Sequence, residues 1–320
     1  MREEKNLGAY FLANDLIYDW VITFLESFRE FNPYLKLYLI PFDNNYSNLK
    51  SLDKKFNFDI FEEDFIFKRL EIIGKQLETG YTTTSPYWFR RFASFWGPLD
   101  RFIYLDSRIV VLNNLEPLIK ALDSYNCDFL HFEGGLDQVY NLGYLRENLV
   151  IEKKAQGFNS GKWISRKNLF SVEYLEQMSC FLVENRSQFN ARNTDQFFLN
   201  YLIHSSNVKS ASIHDLIPHL SRLTWPPMPG SIYRENGIYK TWSYGMSEHK
   251  KEIILLHWAG IKESPIMPRR HIFLKYRLKS EPLYLKLKIR ILDLLLKPIL
   301  WFYIRLKSNR IVNMWYHKYS

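Results

Sequence analysis

The stretch from Leu7 to Asp43, LGAYFLAND-LIYDWVITFLESFREF-NPY-LKLYLIPFD, constrains the fold of this chain more than any other. An apolar run ends in a polar turn at Asn14 and Asp15. Ile17, Trp20, Val21, Phe24, Leu25 and Phe28 then recur at helical spacing, and a second apolar run ends at Asp43. Two strands joined by a helix lie parallel, because their connection must cross over the sheet rather than turn tightly. Such a unit places the chain in the α/β class and brings the carboxyl ends of its strands to one edge.

The alternation continues. FDIFEED reads as a short strand, and helical patterns follow at Phe65–Leu77 and Pro86–Trp96. Strands are expected at Arg101–Asp106 and Cys127–Glu133, then a loop-rich insertion over 134–156 and a strand in GFNSGKWIS. Helices are expected near Val172–Glu184 and Asp195–His204. TWPPMPGSIYRENG reads as an ordered loop, and EIILLHWAG as a last short strand ending at His257. With 320 residues, 47% of them hydrophobic, the chain can bury a large core. The expected architecture is a mainly parallel sheet flanked by helices over residues 1–268, followed by a basic extension over 269–320.

The formal charge of +9 belongs to that extension. From Arg269 onward there are 13 Lys and Arg against Glu281 and Asp293, which leaves residues 1–268 at −2. LYLKLKIRILDLLLKPILWFYIRLK has no uncharged run long enough to span a bilayer. At helical spacing Lys286, Arg290, Asp293 and Lys297 share one face, with Lys288 off it and Pro298 expected to break or kink the helix. A strand over Leu285–Ile291 is the shorter alternative. A basic amphipathic segment with Trp301 and Phe302 suits an anionic membrane surface, and packing on the body of the protein is the competing expectation. No nucleic-acid motif is present. Cys127 and Cys180 are too few for a disulfide framework, and the charged N-terminus has no apolar leader. The expected location is therefore cytoplasmic, peripheral on the inner membrane face if the extension binds lipid.

In open parallel sheets ligands bind beyond the carboxyl ends of the strands. Here those ends carry Asn14 and Asp15, Asp43, Asp106, and His257. RRFASFWGPLDRFIYLDSRIVVLNNLEPL resembles the central stretch of the glycosyltransferase family 8 enzymes, retaining transferases of GT-A fold. YFLANDLIYDWVITFLESFREFNPYLKLYLIPFD is similar to that family's opening strand, helix and strand. GFNSGKWI, NTDQFFLN and LLHWAG resemble its Asn-Ser-Gly strand, its Asp-Gln helix start and its late histidine-glycine motif, in order over residues 6–262.

The resemblance implies a GT-A-type α/β fold, a nucleotide-sugar donor such as a UDP-sugar, and a saccharide or lipid-linked acceptor. It implies that Ala13, Asn14 and Asp15 lie against the base and ribose, and that Arg90 or Arg91 reaches the donor. Asp106 would contact the ribose or a metal, and Asn159 and Ser160 the transferred sugar. Asp195 and Gln196 would sit near the anomeric carbon. His257, Gly260 and Lys262 would complete the donor site, with His257 on phosphate or metal.

Two departures stand out. The family's second metal-binding aspartate falls on Arg108, and the lysine after the late glycine comes two positions on, at Lys262, before ESP instead of an aromatic Pro-Trp. Asp106 and His257 alone would hold Mn²⁺ or Mg²⁺ poorly. A guanidinium at Arg108 suits phosphate, so no metal is required if Arg108 neutralises the leaving group. The alternatives are that Arg108 points outward or pairs with Asp106, leaving an inactive nucleotide-sugar-binding or scaffold protein. Asp195 as a helix cap and His257 as a core histidine are the plain structural alternatives. Glu133 and Asp137 read as a solvated loop, or else as an acceptor contact.

Overall fold

The computed structural model describes residues 6–80, 84–242 and 249–319, with side chains beyond Phe302 described only at Arg305. The strands are β1 Leu7–Ala13, β2 Lys36–Pro41, β3 Asp59–Ile60, β4 Arg101–Asp106, β5 Ile109–Val111, β6 Phe129–His131, β7 Lys162–Arg166, β8 Ser210–Ser212, β9 Ser231–Glu235, β10 Ile238–Trp242 and β11 Leu255–His257. The helices are α1 Tyr18–Phe31, α2 Ser47–Lys50, α3 Asp53–Phe56, α4 Asp64–Gln76, α5 Glu116–Ser124, α6 Tyr144–Lys153, α7 Val172–Glu184, α8 Thr194–Ser205, α9 Ile213–Leu216, α10 Arg270–Arg277 and α11 Leu283–Tyr319. The segment Pro86–Trp96 is a 3₁₀ helix.

Seven strands form the central sheet in the order β3-β2-β1-β4-β7-β6-β8. Neighbours pair parallel except where β7 meets β4 and β6, so the sheet is mixed and mainly parallel, as expected. Strand alternation sorts side chains between two cores. Phe11, Ile103, Leu105 and Ile164 face the layer of α1 and α5. Tyr10, Phe102, Tyr104 and Trp163 face the layer of α8 and the 3₁₀ helix. Both faces are covered, which explains why the strands read as nearly continuous apolar runs.

Several elements differ from expectation, each for a visible reason. In the 3₁₀ segment Phe89, Phe92 and Phe95 recur every third residue, and all three are fully buried. That spacing lines one edge of a 3₁₀ helix, whose side chains eclipse at i and i+3, where an α-helix would fan them apart. The expected loop at TWPPMPGSIYRENG contains strand β9, joined to β10 through Asn236 and Gly237, whose φ values of 51° and 84° fit a two-residue hairpin turn. Helix α6 fills part of the expected insertion.

Helix α10 packs Ile272, Phe273 and Tyr276 against Trp20 and Trp258. The body therefore reaches past residue 268, and the basic extension proper begins near α11. That helix continues through Pro298, where a break or kink was expected. It is tied to the body by Arg270, which pairs with Asp293. Leu283, Leu287, Leu294, Trp301 and Phe302 on it are all exposed. Among the described residues no helix is long and apolar enough to cross a membrane.

Candidate active site

The site forms where β4, β7, β11 and α8 meet at one edge of the sheet. Asp106 closes β4 and, by strand alternation, projects to the side of Tyr104, whose hydroxyl donates to Asp106 Oδ1 at 2.9 Å. The segment leading into β7 arrives beside it, and the Gly161 carbonyl accepts from Asp106 N at 2.7 Å. Strand β11 pairs with β5 and sets His257 opposite Ile109. That register brings His257 Nε2 to 3.5 Å from Asp106 Oδ2. Gly161 has to be a glycine: a Cβ there would collide with Asp106 Oδ2 and would stand 2.5 Å from His257 Cε1.

Arg91 links the acidic groups. In the 3₁₀ helix successive side chains step by about 120°, so Arg90 and Arg91 leave on different edges. Arg91 turns to the sheet edge, with Nη1 2.9 Å from Asp195 Oδ2 and Nη2 3.6 Å from Asp106 Oδ1. It also donates to the Ser160 carbonyl at 3.0 Å. Arg90 turns to α4, pairs with Glu71 at 2.6 Å and donates to the Pro41 carbonyl at 3.0 Å. Of the two arginines considered for donor contact, Arg91 enters the cluster and Arg90 is committed to packing.

Asp195 lies in the first turn of α8 without capping it; the residue before the helix is Asn193 and makes no side-chain cap. Its carboxylate instead accepts from Ser160 Oγ at 2.6 Å and from Arg91. Asn159 Nδ2 donates to Gln196 Oε1 at 3.2 Å, and Asn159 Oδ1 accepts from Gly161 N at 2.8 Å. Six residues singled out in the sequence, Asp106, Asn159, Ser160, Asp195, Gln196 and His257, thus join one network with Arg91.

Electrostatics follow from this burial. Burial alone raises the Asp106 carboxyl, but Arg91, with His257 and Tyr104, outweighs it and holds the group well below the usual carboxylate range. Burial lowers Arg91, and the facing Asp106 and Asp195 more than restore its charge. Burial lowers His257 despite Asp106, which favours the neutral imidazole at pH 7.

The other candidates take different places. Ala13 is buried at the end of β1, and its carbonyl accepts from Phe42 N at 2.8 Å. Asn14 donates to Asp43 Oδ2 at 2.7 Å. Asp15 accepts from Asn48 N and Leu49 N, both at 3.0 Å, so its carboxylate is engaged at the start of α2. Gly260 adopts a φ of 71°, in the left-handed region. Arg108 is half-buried and Lys262 exposed, and neither side chain pairs with any described residue. The pairing of Arg108 with Asp106, one of the alternatives, is absent because Arg91, Tyr104 and His257 surround that carboxylate.

The donor set does not fit a divalent metal. Among the described residues no three His, Cys, Asp or Glu side chains stand close enough to hold an ion. Asp106 and His257 supply one oxygen-donor group and one nitrogen, and the carboxylate already faces a guanidinium. Hard cations need several oxygen ligands.

A second buried cluster was not legible as such. Glu133, expected in a solvated loop, pairs with Lys162 at 2.5 Å and His214 Nε2 at 3.1 Å, and Thr224 Oγ1 also contacts it. The Thr224 carbonyl in turn accepts from His257 N at 2.9 Å, which ties this cluster to the site. The available signal was Lys162 itself, a lysine inside a buried strand, which must have an anionic partner. Burial pushes the Glu133 carboxyl up, but Lys162 and His214 overcome it and hold it at about 2. Burial lowers His131 and His204 to about 4.

Both kinds of shift make the protein acid-labile. The unfolded chain binds more protons than the native state between pH 6.5 and 4 through the histidines, and between 4.5 and 2 through Glu133. The urea midpoint is expected to be level above about pH 7 and to fall steadily below about pH 6.5. A midpoint that stays level down to pH 4.5 would contradict the burial of both histidines.

The chain matches no protein-family model and no curated protein sequence. In fold it is similar to solved glycosyltransferases. A crystal structure of the galactosyltransferase LgtC with donor and acceptor sugar analogues matches at a TM-score of 0.56 and 12% identity, over 86% of this chain and 97% of that one. An active-site Gln-to-Glu mutant of LgtC matches at 0.58 and 10% identity, with the same coverage of 86% and 97%. The bifunctional glycosyltransferase WbbM matches at 0.51 and 11% identity, over 91% of this chain and 52% of that chain. The fold is thus of the GT-A type.

Proposed function

We propose that this protein transfers a sugar from a nucleotide-sugar, a UDP-sugar by family resemblance, to a saccharide or lipid-linked acceptor. The observation that carries this reading is the Arg91-centred network around Gly161, at the sheet edge where parallel folds bind ligands. In LgtC a glutamine at the active site was mutated, and Gln196 holds the corresponding role in this proposal. Retention of anomeric configuration belongs to the same reading.

Glycosyl transfer leaves a nucleoside diphosphate, so negative charge grows on the departing phosphate in the transition state. Arg108 is the group proposed to neutralise it: always charged, unpaired among the described residues, and two positions beyond Asp106. Lys262 assists from the turn after β11. Arg91 fixes Asp195 and Asp106, and the Asn159–Gln196 pair presents amide groups to the sugar. The reaction in this account needs no metal.

Calorimetry with UDP tests the reading. UDP is expected to bind equally well with Mn²⁺ and with EDTA, and incubation with a cognate UDP-sugar to release UDP. Binding without turnover on any donor would favour a nucleotide-sugar-binding scaffold. No UDP binding at all would overturn both.

Helix α11 is proposed to rest on an anionic membrane surface. Its exposed leucines and Trp301 supply apolar area, and Lys286, Lys288, Arg290 and Lys297 the charge. The full chain should sediment with phosphatidylserine-containing vesicles and release as salt is raised, whereas a chain ending at Ser280 should stay in the supernatant. Equal sedimentation of the two would refute the assignment.

A further inference from the structure

A cavity of about 430 Å³ opens beside Glu133, lined also by His131, Arg146, Gln156, His214 and Arg222. It lies at the same sheet edge as Asp106. Asp106 ends β4, Lys162 opens β7 opposite Leu105, and His131 of β6 pairs with Trp163 and with Ser212 of β8. Strands stand about 4.8 Å apart. The cavity mouth at β6 is therefore about 10 Å along the edge from the end of β4. That is the reach of a saccharide extending from the donor site.

One lining atom calls for a ligand. The His214 side chain is 3% exposed, and its Nδ1 has no hydrogen-bond partner. Its Nε2 faces Glu133 at 3.1 Å. An ionised carboxylate can only accept, so Nε2 carries a proton and Nδ1 is the open ring nitrogen, an acceptor in the neutral ring and a donor in the charged one. A buried polar atom without a partner is costly in either form, and a ligand hydroxyl in the cavity, which can donate or accept, removes that cost. The charges beside it are also uneven. Lys162 neutralises Glu133, and Arg222 pairs with Asp215 at 2.5 Å. Arg146 makes one long contact, 3.5 Å to the Tyr140 carbonyl, and no ion pair among the described residues. This leaves a cation at the wall of the cavity without a carboxylate of its own.

We propose that the cavity seats an acidic saccharide acceptor, which pairs a hydroxyl with His214 Nδ1 and directs a carboxylate or phosphate to Arg146. The assignment rests on the glycosyl-transfer reading but is tested separately from it. Saturation-transfer NMR on the full chain with UDP present compares methyl β-D-glucuronide, glucose 6-phosphate and methyl β-D-glucoside. At least one anionic probe should bind about 10-fold more tightly than the neutral one. Arg146→Gln, on a half-exposed helix position, should erase that preference, and His214→Gln should weaken all three probes.

The two anionic probes distinguish carboxylate from phosphate. Equal binding of all three probes, or a preference that survives Arg146→Gln, would overturn the proposal. UDP binding is followed in the same samples. Its failure alongside a retained anionic preference would sink the transfer reading and leave the cavity assignment standing.

Discussion

Arg91→Met is expected to destabilise the protein by about 3–5 kcal/mol, the usual cost of leaving buried charges without their partner. The guanidinium stands between Asp195 and Asp106, and the side chains of Arg91 and Asp195 are only 6% and 7% exposed. Removing it leaves two carboxylates with one neutral imidazole and two hydroxyls between them. One or both must then protonate or draw water into the core. Arg91→Lys should recover part of the loss, since an ammonium restores charge but not the several directed bonds to Asp195 and Ser160. The double variant Arg91→Met, Asp195→Leu should be less destabilised than Arg91→Met alone. Urea unfolding measures all three, and a loss below about 1 kcal/mol for Arg91→Met would show that the network is not the structural centre of the site.

Arg108→Ala is expected to leave stability within about 0.5 kcal/mol of the parent, because the half-buried side chain has no partner among the described residues to lose. Turnover should nevertheless fall by about 10²–10³, the loss typical when one group stabilising a developing oxyanion is removed. Arg108→Lys should lie between, because an ammonium supplies charge without bidentate geometry. UDP-release kinetics on folded protein separate the effects: a fall in kcat with little change in KM is what transition-state stabilisation requires.

The legibility of the fold followed burial. The β1-α1-β2 unit, β4, α7 and α8 were readable because their apolar spacing matches one regular period. The 3₁₀ segment was misread because its phenylalanines repeat every third residue, and helical reasoning assumes 3.6. The hairpin at Asn236-Gly237 was hidden inside a Pro-rich stretch, although the dipeptide itself is a strong turn signal. In the site, Asp106 and His257 were found through their positions at strand ends, whereas Asn159, Ser160, Asp195 and Gln196 were found only through the resemblance of GFNSGKWI and NTDQFFLN to family motifs. The choice between Arg90 and Arg91 needed the 3₁₀ geometry. Glu133 and His214 are 81 residues apart and meet only because β6 and β8 are neighbours in the sheet, so no local pattern could join them.

The central claim is that a guanidinium, and not a metal, carries the charge of the leaving group. UDP release from a cognate UDP-sugar in EDTA, with and without added Mn²⁺, measures it most directly in the parent and in Arg108→Ala. The account predicts full activity in EDTA, no gain with Mn²⁺, and loss in Arg108→Ala under both conditions. Activity that is absent in EDTA and restored by Mn²⁺ would contradict it.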